Sequence, residues 1–171
     1  ALVPEGAKYN YRYNDRRHTA SLVYQGKENG IHAVLGYNYR LVDGFDYIAN
    51  KPSNSNAKMD GQILDVQKNW KFGEDSMVLG YSYQREGIDL PEQKRSVVRT
   101  GNSLYASYSK QFTPRFNVTL GLRGELINDP AKDQNVFMPQ IQTEYKFDHN
   151  TAWYTNIGKA FQMPTVDDVT R

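Results

Sequence analysis

The chain has 171 residues, with 13 Gly, 7 Pro, no Cys and a formal net charge of +2. That length suits one domain with a sizeable core; the absence of Cys excludes disulfides, thiolate zinc sites and cysteine nucleophiles, and the interspersed charges leave no footprint for nucleic acid. A mean hydropathy of −0.75, with no long apolar run, excludes a transmembrane helix of about 20 residues but not a transmembrane barrel, whose alternating strands average out as polar.

In chain order, Ala1–Asn10 carries no basic-then-apolar leader, and Ala7–Tyr13 is a possible first strand. Ala20, Leu22 and Tyr24 begin a period-two pattern. It strengthens in Ile31, Ala33, Leu35, Tyr37 and Tyr39, which alternate with His32, Val34, Gly36, Asn38 and Arg40. Leu64, Val66, Trp70 and Phe72 follow, then Met77, Leu79, Tyr81 and Tyr83, then Leu104, Ala106 and Tyr108. The clearest strand has Phe116, Val118, Leu120, Leu122, Gly124 and Leu126 on one face and Asn117, Thr119, Gly121, Arg123 and Glu125 on the other. At roughly 11 residues it matches the 9–11 that cross a bilayer. Phe137, Ile141, Tyr145 and Phe147 alternate with Met138, Gln140, Gln142, Glu144 and Lys146, and Thr151–Phe161 closes the series. No segment has apolar residues at helical spacing over three turns, so the chain reads as all-β.

The connections alternate as well. Tight ones rich in Gly, Pro, Asn or Asp fall at Gly26–Asn29, Gly73–Ser76, Thr113–Arg115 and Asp148–Asn150. Longer polar ones fall at Leu41–Lys58, Gly87–Thr100 and Asn128–Val136. Aromatics cluster beside the tight turns (Tyr24, Trp70, Phe72, Phe112, Phe116, Phe147, Trp153) and beside the long connections (Tyr37, Tyr39, Tyr81, Tyr83, Phe137). Short turns at one end, long loops at the other and two aromatic girdles are the signature of an antiparallel up-and-down transmembrane β-barrel. Lys68 and Lys110 share parity with apolar residues, but both stand near a tight turn, where snorkelling spares them. Eight clear strands and a possible ninth could close a small barrel. The polar finish after Phe161 instead suggests a larger barrel cut short, with residues 1–171 as one segment of a single transmembrane domain.

Lys159-Ala160-Phe161-Gln162-Met163-Pro164-Thr165-Val166-Asp167-Asp168-Val169 resembles a late-barrel segment of TonB-dependent outer-membrane receptors, through Gly158, Lys159, Phe161, Pro164 and Thr165. Phe137-Met138-Pro139-Gln140, Tyr145-Lys146-Phe147 and Trp153-Tyr154 resemble the strand pair before it, and Asp43-Gly44-Phe45 resembles a strand-closing Asp-Gly-Tyr. The resemblance implies a bacterial outer-membrane barrel of about 22 strands with a plugged lumen. It also implies import of a scarce ligand such as an iron-siderophore complex, haem or cobalamin, energised by an inner-membrane TonB complex acting through the plug. No plug domain is present here, so the remaining strands and the plug are implied partners, with outer-membrane lipid around them.

No catalytic constellation is present, and no cofactor is implied. His18, His32 and His149 lie in separate segments without metal-ligand spacing, and Asp43 and Asp46 lack the ligand series of a calcium loop. For a transporter the chemistry is binding. Candidates on the polar, lumen-facing side are Arg40, Arg123, Glu125, Gln142 and Glu144, which can meet a plug. In the long loop Asp43, Phe45, Tyr47, Asn50 and Lys51 mix aromatic and polar groups suited to a bulky small molecule or metal chelate. The competing readings are a complete eight-stranded outer-membrane barrel with a structural or adhesive role, and a soluble β-sandwich binding module.

Overall fold

A computed structural model describes residues 12–48 and 51–161. They form eight strands: β1 (Arg12–Gln25), β2 (Ile31–Ile48), β3 (Lys51–Phe72), β4 (Asp75–Leu90), β5 (Arg95–Thr113), β6 (Phe116–Asn128), β7 (Gln134–Lys146) and β8 (Ala152–Gly158). All pair antiparallel with their sequence neighbours in one sheet of order β1-β2-β3-β4-β5-β6-β7-β8. The meander is therefore as expected, and the sheet is open: β1 and β8 are its two edges. Among the described residues no helix is long and apolar enough to cross a membrane, which says nothing of a β-barrel.

The register shows why the alternation matters. Paired residues share a face, and one row runs Tyr24, Ala33, Val66, Tyr81, Leu104, Gly124, Phe137 across seven strands. Another runs Trp70, Met77, Tyr108, Leu120, Ile141, Ile157. The apolar residues of separate strands thus merge into one continuous surface, here named the Leu120 face. Thr119, Arg123 and Glu125 lie on the opposite, Thr119 face, with Gln142, Ser109 and Tyr105 of the adjoining strands.

Large apolar side chains on the Leu120 face are exposed: Leu120 is 53% accessible and Leu104 61%. A soluble sandwich buries such residues between two layers. Here there is one layer, which removes the sandwich reading. Both aromatic clusters stand on this surface. Phe112, Phe116, Tyr145 and Phe147 form a chain of ring contacts 5.9, 6.4 and 5.0 Å apart beside two tight turns.

Of the three connections expected to be long loops, two are mostly strand and the third is shortened. The ladder continues through Leu41–Lys58 as far as Ile48 and Lys51, so Asp43 and Phe45 belong to β2. Residues Gly87–Thr100 are paired up to Leu90 and Arg95, around a single turn of 3-10 helix at Pro91–Gln93. Between β6 and β7 only residues 129–133 remain unpaired. The physical reason is that the backbone ladder needs no apolar side chains: polar residues pair equally well once both faces leave the apolar zone. The tight turns stand where expected, with Gly30 and Gly73 at φ +65, a conformation open to glycine. Of the possible first strand Ala7–Tyr13, Arg12 and Tyr13 belong to β1 and the rest lies outside the described residues.

In these strand extensions the polarity of the two faces exchanges. On the Thr119 face Ile88 and Val97 form a buried cluster with Met59 and Leu90 packed against it, and Val42, Ile127 and Val136 are buried on the same side. The opposite side of the extensions carries ion pairs in place of an apolar cluster: Arg16 with Asp43 at 3.0 Å, and Arg85 with Asp60.

Candidate functional site

The Thr119 face gathers its polar groups into three clusters. At its centre Tyr105 of β5 lies across Gly80 of β4, where an added Cβ would strike the phenol ring. Glycine at that point lets the side chain cross one strand and reach the next. The Tyr105 hydroxyl lies 3.2 Å from both carboxylate oxygens of Asp65 and from Gln67 Oε1, on β3. Arg123 of β6 stands 5.9 Å over the same ring, donates to Ser103 Oγ at 2.8 Å, and pairs with Glu125 at 3.5 Å. Cation, aromatic ring and two carboxylates from three strands are thereby held in fixed positions.

A second cluster lies at the β1–β2 edge. Arg40 donates from Nε and Nη2 to the two oxygens of Asp15 at 3.1 Å each, and to the Tyr13 hydroxyl at 3.2 Å. Arg17 binds the same carboxylate from the other side at 2.9 Å. The third cluster is a cleft of about 380 Å³ lined by Asn117, Thr119, Gln142, Glu144, Tyr154 and Asn156. In it the Tyr154 hydroxyl donates to Glu144 at 3.1 Å, and Lys146 lies 3.5 Å from the same carboxylate. Beside it Thr119 donates to Ser109, which donates to Asn117, at 3.0 and 2.9 Å.

Of the five lumen-side candidates, Arg123 and Glu125 come together, Gln142 and Glu144 come together, and Arg40 stands apart with Asp15. Sequence reasoning missed Asp65, Tyr105 and Gly80. The available signal was an aromatic on the polar parity of β5, which register then sets beside a glycine.

The ligand candidates of the long loop fare differently, because the loop is strand. Asp43 is engaged by Arg16 at 3.0 Å and Phe45 pairs in register with Arg12. Tyr47 and Lys51 occupy paired backbone positions near the β2–β3 tip, and Asn50 lies outside the described residues. Gly158 ends β8 and packs at Gln140, while the Lys159 amide donates to the Pro139 carbonyl at 3.0 Å. Phe161 is half-buried, and Pro164 and Thr165 lie outside the described residues.

Beyond the apolar zone Arg99 and Asp129 form a buried pair, Nε to Oδ2 2.5 Å, with side chains 4% and 8% exposed. Burial alone raises the Asp129 pKa; hydrogen bonds from the Ala131 and Lys132 amides and from Arg99 outweigh it and hold the carboxyl below its ordinary 3.8. Among the described residues no group of three or more His, Cys, Asp or Glu could hold a metal ion.

A family model described as TonB dependent receptor-like, beta-barrel, matches residues 4–171. Among solved structures the chain is similar to one in the FpvAI–pyocin S2 complex, with a TM-score of 0.53 and 12% identity. The match covers 83% of this chain and 26% of that one, so the present chain spans about a quarter of its solved relative. At that identity the likeness concerns the fold. No curated protein sequence matches.

Proposed function

The chain belongs to the TonB-dependent receptor β-barrel family, and from that premise we propose that it is part of the wall of a bacterial outer-membrane receptor that imports a scarce ligand. An iron-siderophore complex, haem and cobalamin are the ligand classes in view. The observation that carries this reading is the register: it merges the apolar residues of eight strands into one exposed surface and places the hydrogen-bonded polar clusters behind it.

In hydrocarbon every backbone N–H and C=O needs a partner, so only helices and closed sheets span. The open edges of β1 and β8 therefore call for further strands of the same receptor, in a barrel of the size class, about 22 strands, that encloses a plug. On this reading the Leu120 face meets lipid and the Thr119 face meets the plug. The Tyr105–Asp65–Arg123 cluster and the Glu144–Tyr154 cleft then supply fixed donors and acceptors to a plug that an inner-membrane TonB complex displaces. Fixing these groups in advance lowers the entropy lost when the plug reseats. The half-buried Phe45 and the polar β2–β3 tip stand at the outer end, where a bulky ligand arrives.

The test is uptake by cells that carry or lack the full-length receptor, with labelled iron-siderophore, haem and cobalamin offered in turn. Loss of one uptake on deletion identifies the ligand. Unchanged uptake of every scarce nutrient tried, with the receptor present in the outer membrane, would argue against an importer and favour a structural wall.

A further inference from the structure

Lysine on a lipid-facing surface is costly at the midplane and nearly free at the rim. The Leu120 face carries two such lysines near tight turns, and they are provided for differently. Lys110 has an acid: its ammonium stands 3.9 Å from Asp75 Oδ2 and 5.7 Å from the Phe112 ring. Lys68 has none. Its ammonium donates to the Asn29 carbonyl in the β1–β2 turn and lies 5.7 Å over the Trp70 ring. Among the described residues no carboxylate lies within ion-pair distance of Lys27, Lys68 or Lys71.

These three lysines share one cleft of about 560 Å³, lined by the turn from Gln25 to Ile31, by His32 and by the end of β3 from Gln67 to Lys71. Glu28 is the one carboxylate in the lining. The turn is anchored: Gly30 accepts from the Asn69 amide at 2.8 Å, and Asn29 reaches the Tyr24 hydroxyl at 3.1 Å. A fixed, net-positive cleft therefore straddles the rim of the sheet, with Ile31, Lys68 and Trp70 on the Leu120 face and Gln25, His32, Gln67, Asn69 and Lys71 on the Thr119 face, beside an indole of the kind that settles at headgroup depth.

We propose that this rim binds the phosphate of an anionic glycerophospholipid in the inner leaflet of the outer membrane, with Lys68 and Lys27 as its cationic contacts and Trp70 against the glycerol. Among the described residues no carboxylate pairs with these lysines, and Ile31, Trp70 and Leu79 continue the site into the surface where acyl chains lie. A free phosphate would use the cations but not that apolar continuation, so the lipid is the occupant the site favours. This inference rests on the membrane-wall reading above.

The experiment takes the full-length receptor in nanodiscs of phosphatidylethanolamine doped with phosphatidylglycerol, and counts retained lipids by native mass spectrometry. Preferential retention of phosphatidylglycerol is expected, lowered about fivefold by Lys68→Gln and in the same direction by Lys27→Gln. Lys110→Gln, on the same face but with its own acid, is expected to change nothing. Equal retention in Lys68→Gln, an equal loss in Lys110→Gln, or no preference in the unsubstituted receptor would each overturn the proposal. Displacement by millimolar inorganic phosphate would overturn the lipid assignment in favour of a free-anion site. Heat-modifiable migration checks that each variant is folded, and the lipid preference of the unsubstituted receptor tests the site if a variant is not. Failure of the receptor to enter the nanodisc at all would instead count against the membrane wall itself.

Discussion

The span between the two aromatic clusters and the strand extensions beyond it share strands β1–β7 and one ladder, yet their faces carry opposite polarity. In the span Leu120, Leu104 and Ile141 stand exposed on one side while Tyr105, Arg123 and Asp65 are hydrogen-bonded on the other. In the extensions Ile88, Val97 and Ile127 are buried on that second side, while Arg16, Asp43, Asp60 and Arg85 pair on the first. β4 crosses the boundary within a few residues: Tyr81 and Tyr83 are followed on one face by Arg85, and Ser82 and Gln84 on the other by Ile88. A β-strand has no polarity of its own; each face records the medium it meets.

Four experiments break or sharpen this contrast. The largest effect is expected from Leu120→Arg, which sets a cation in mid-span on the exposed apolar face at a cost of about 2–4 kcal/mol and blocks assembly. Thr119→Arg, one residue away and pointing into the polar side, is expected to assemble. The readout is heat-modifiable migration of the full receptor, and equal assembly of the two variants would invert the face assignment.

Next comes Ile127→Ala. Ile127 is 1% exposed, so the cavity costs about 2 kcal/mol, at the low end for a buried isoleucine. Leu120→Ala, where lipid refills the space, is expected to cost less than about 1 kcal/mol. Denaturant titration of the two variants distinguishes a packed extension from a merely solvated one. Third, Gly80→Ala forces the Tyr105 ring off β4 and costs about 1 kcal/mol through overpacking. Adding Tyr105→Ser is expected to recover part of that loss in thermal unfolding, and no recovery would show that the two residues are not coupled.

The smallest effect is set by pH. The folded-state pKa of Asp129 lies below 3.8, so its stabilising contribution is present above the unfolded value and is lost as pH falls through the lower folded value. Hydrogen exchange of the 129–133 connection is expected to quicken in that acid range, and Asp129→Asn to flatten the response. An unchanged response in the variant would remove Asp129 as its source.

The strands of the span were legible in the sequence because a single alternation reports a single pair of environments. Phe116–Leu126 holds its phase throughout, so strand and face read off together. The extensions were not legible for the same reason. Through Tyr39, Arg40, Val42 and Asp43 the apolar residues move from one parity to the other, so a period-two count fails although the ladder does not. Such irregular alternation reads as loop. Of the site, Arg123, Glu125, Gln142 and Glu144 were legible by parity alone. The reach of Tyr105 over Gly80 to Asp65 was not, because it joins residues on three strands whose register the sequence does not display.

The exchange of polarity near Tyr39 and Arg40 also works as a depth gauge. Sliding the wall outward would drag leucines into water, and sliding it inward would push Arg85 and Asp60 into oil. Either displacement is opposed along several strands at once, so on the membrane-wall reading the vertical seating of the sheet is written into the strands themselves.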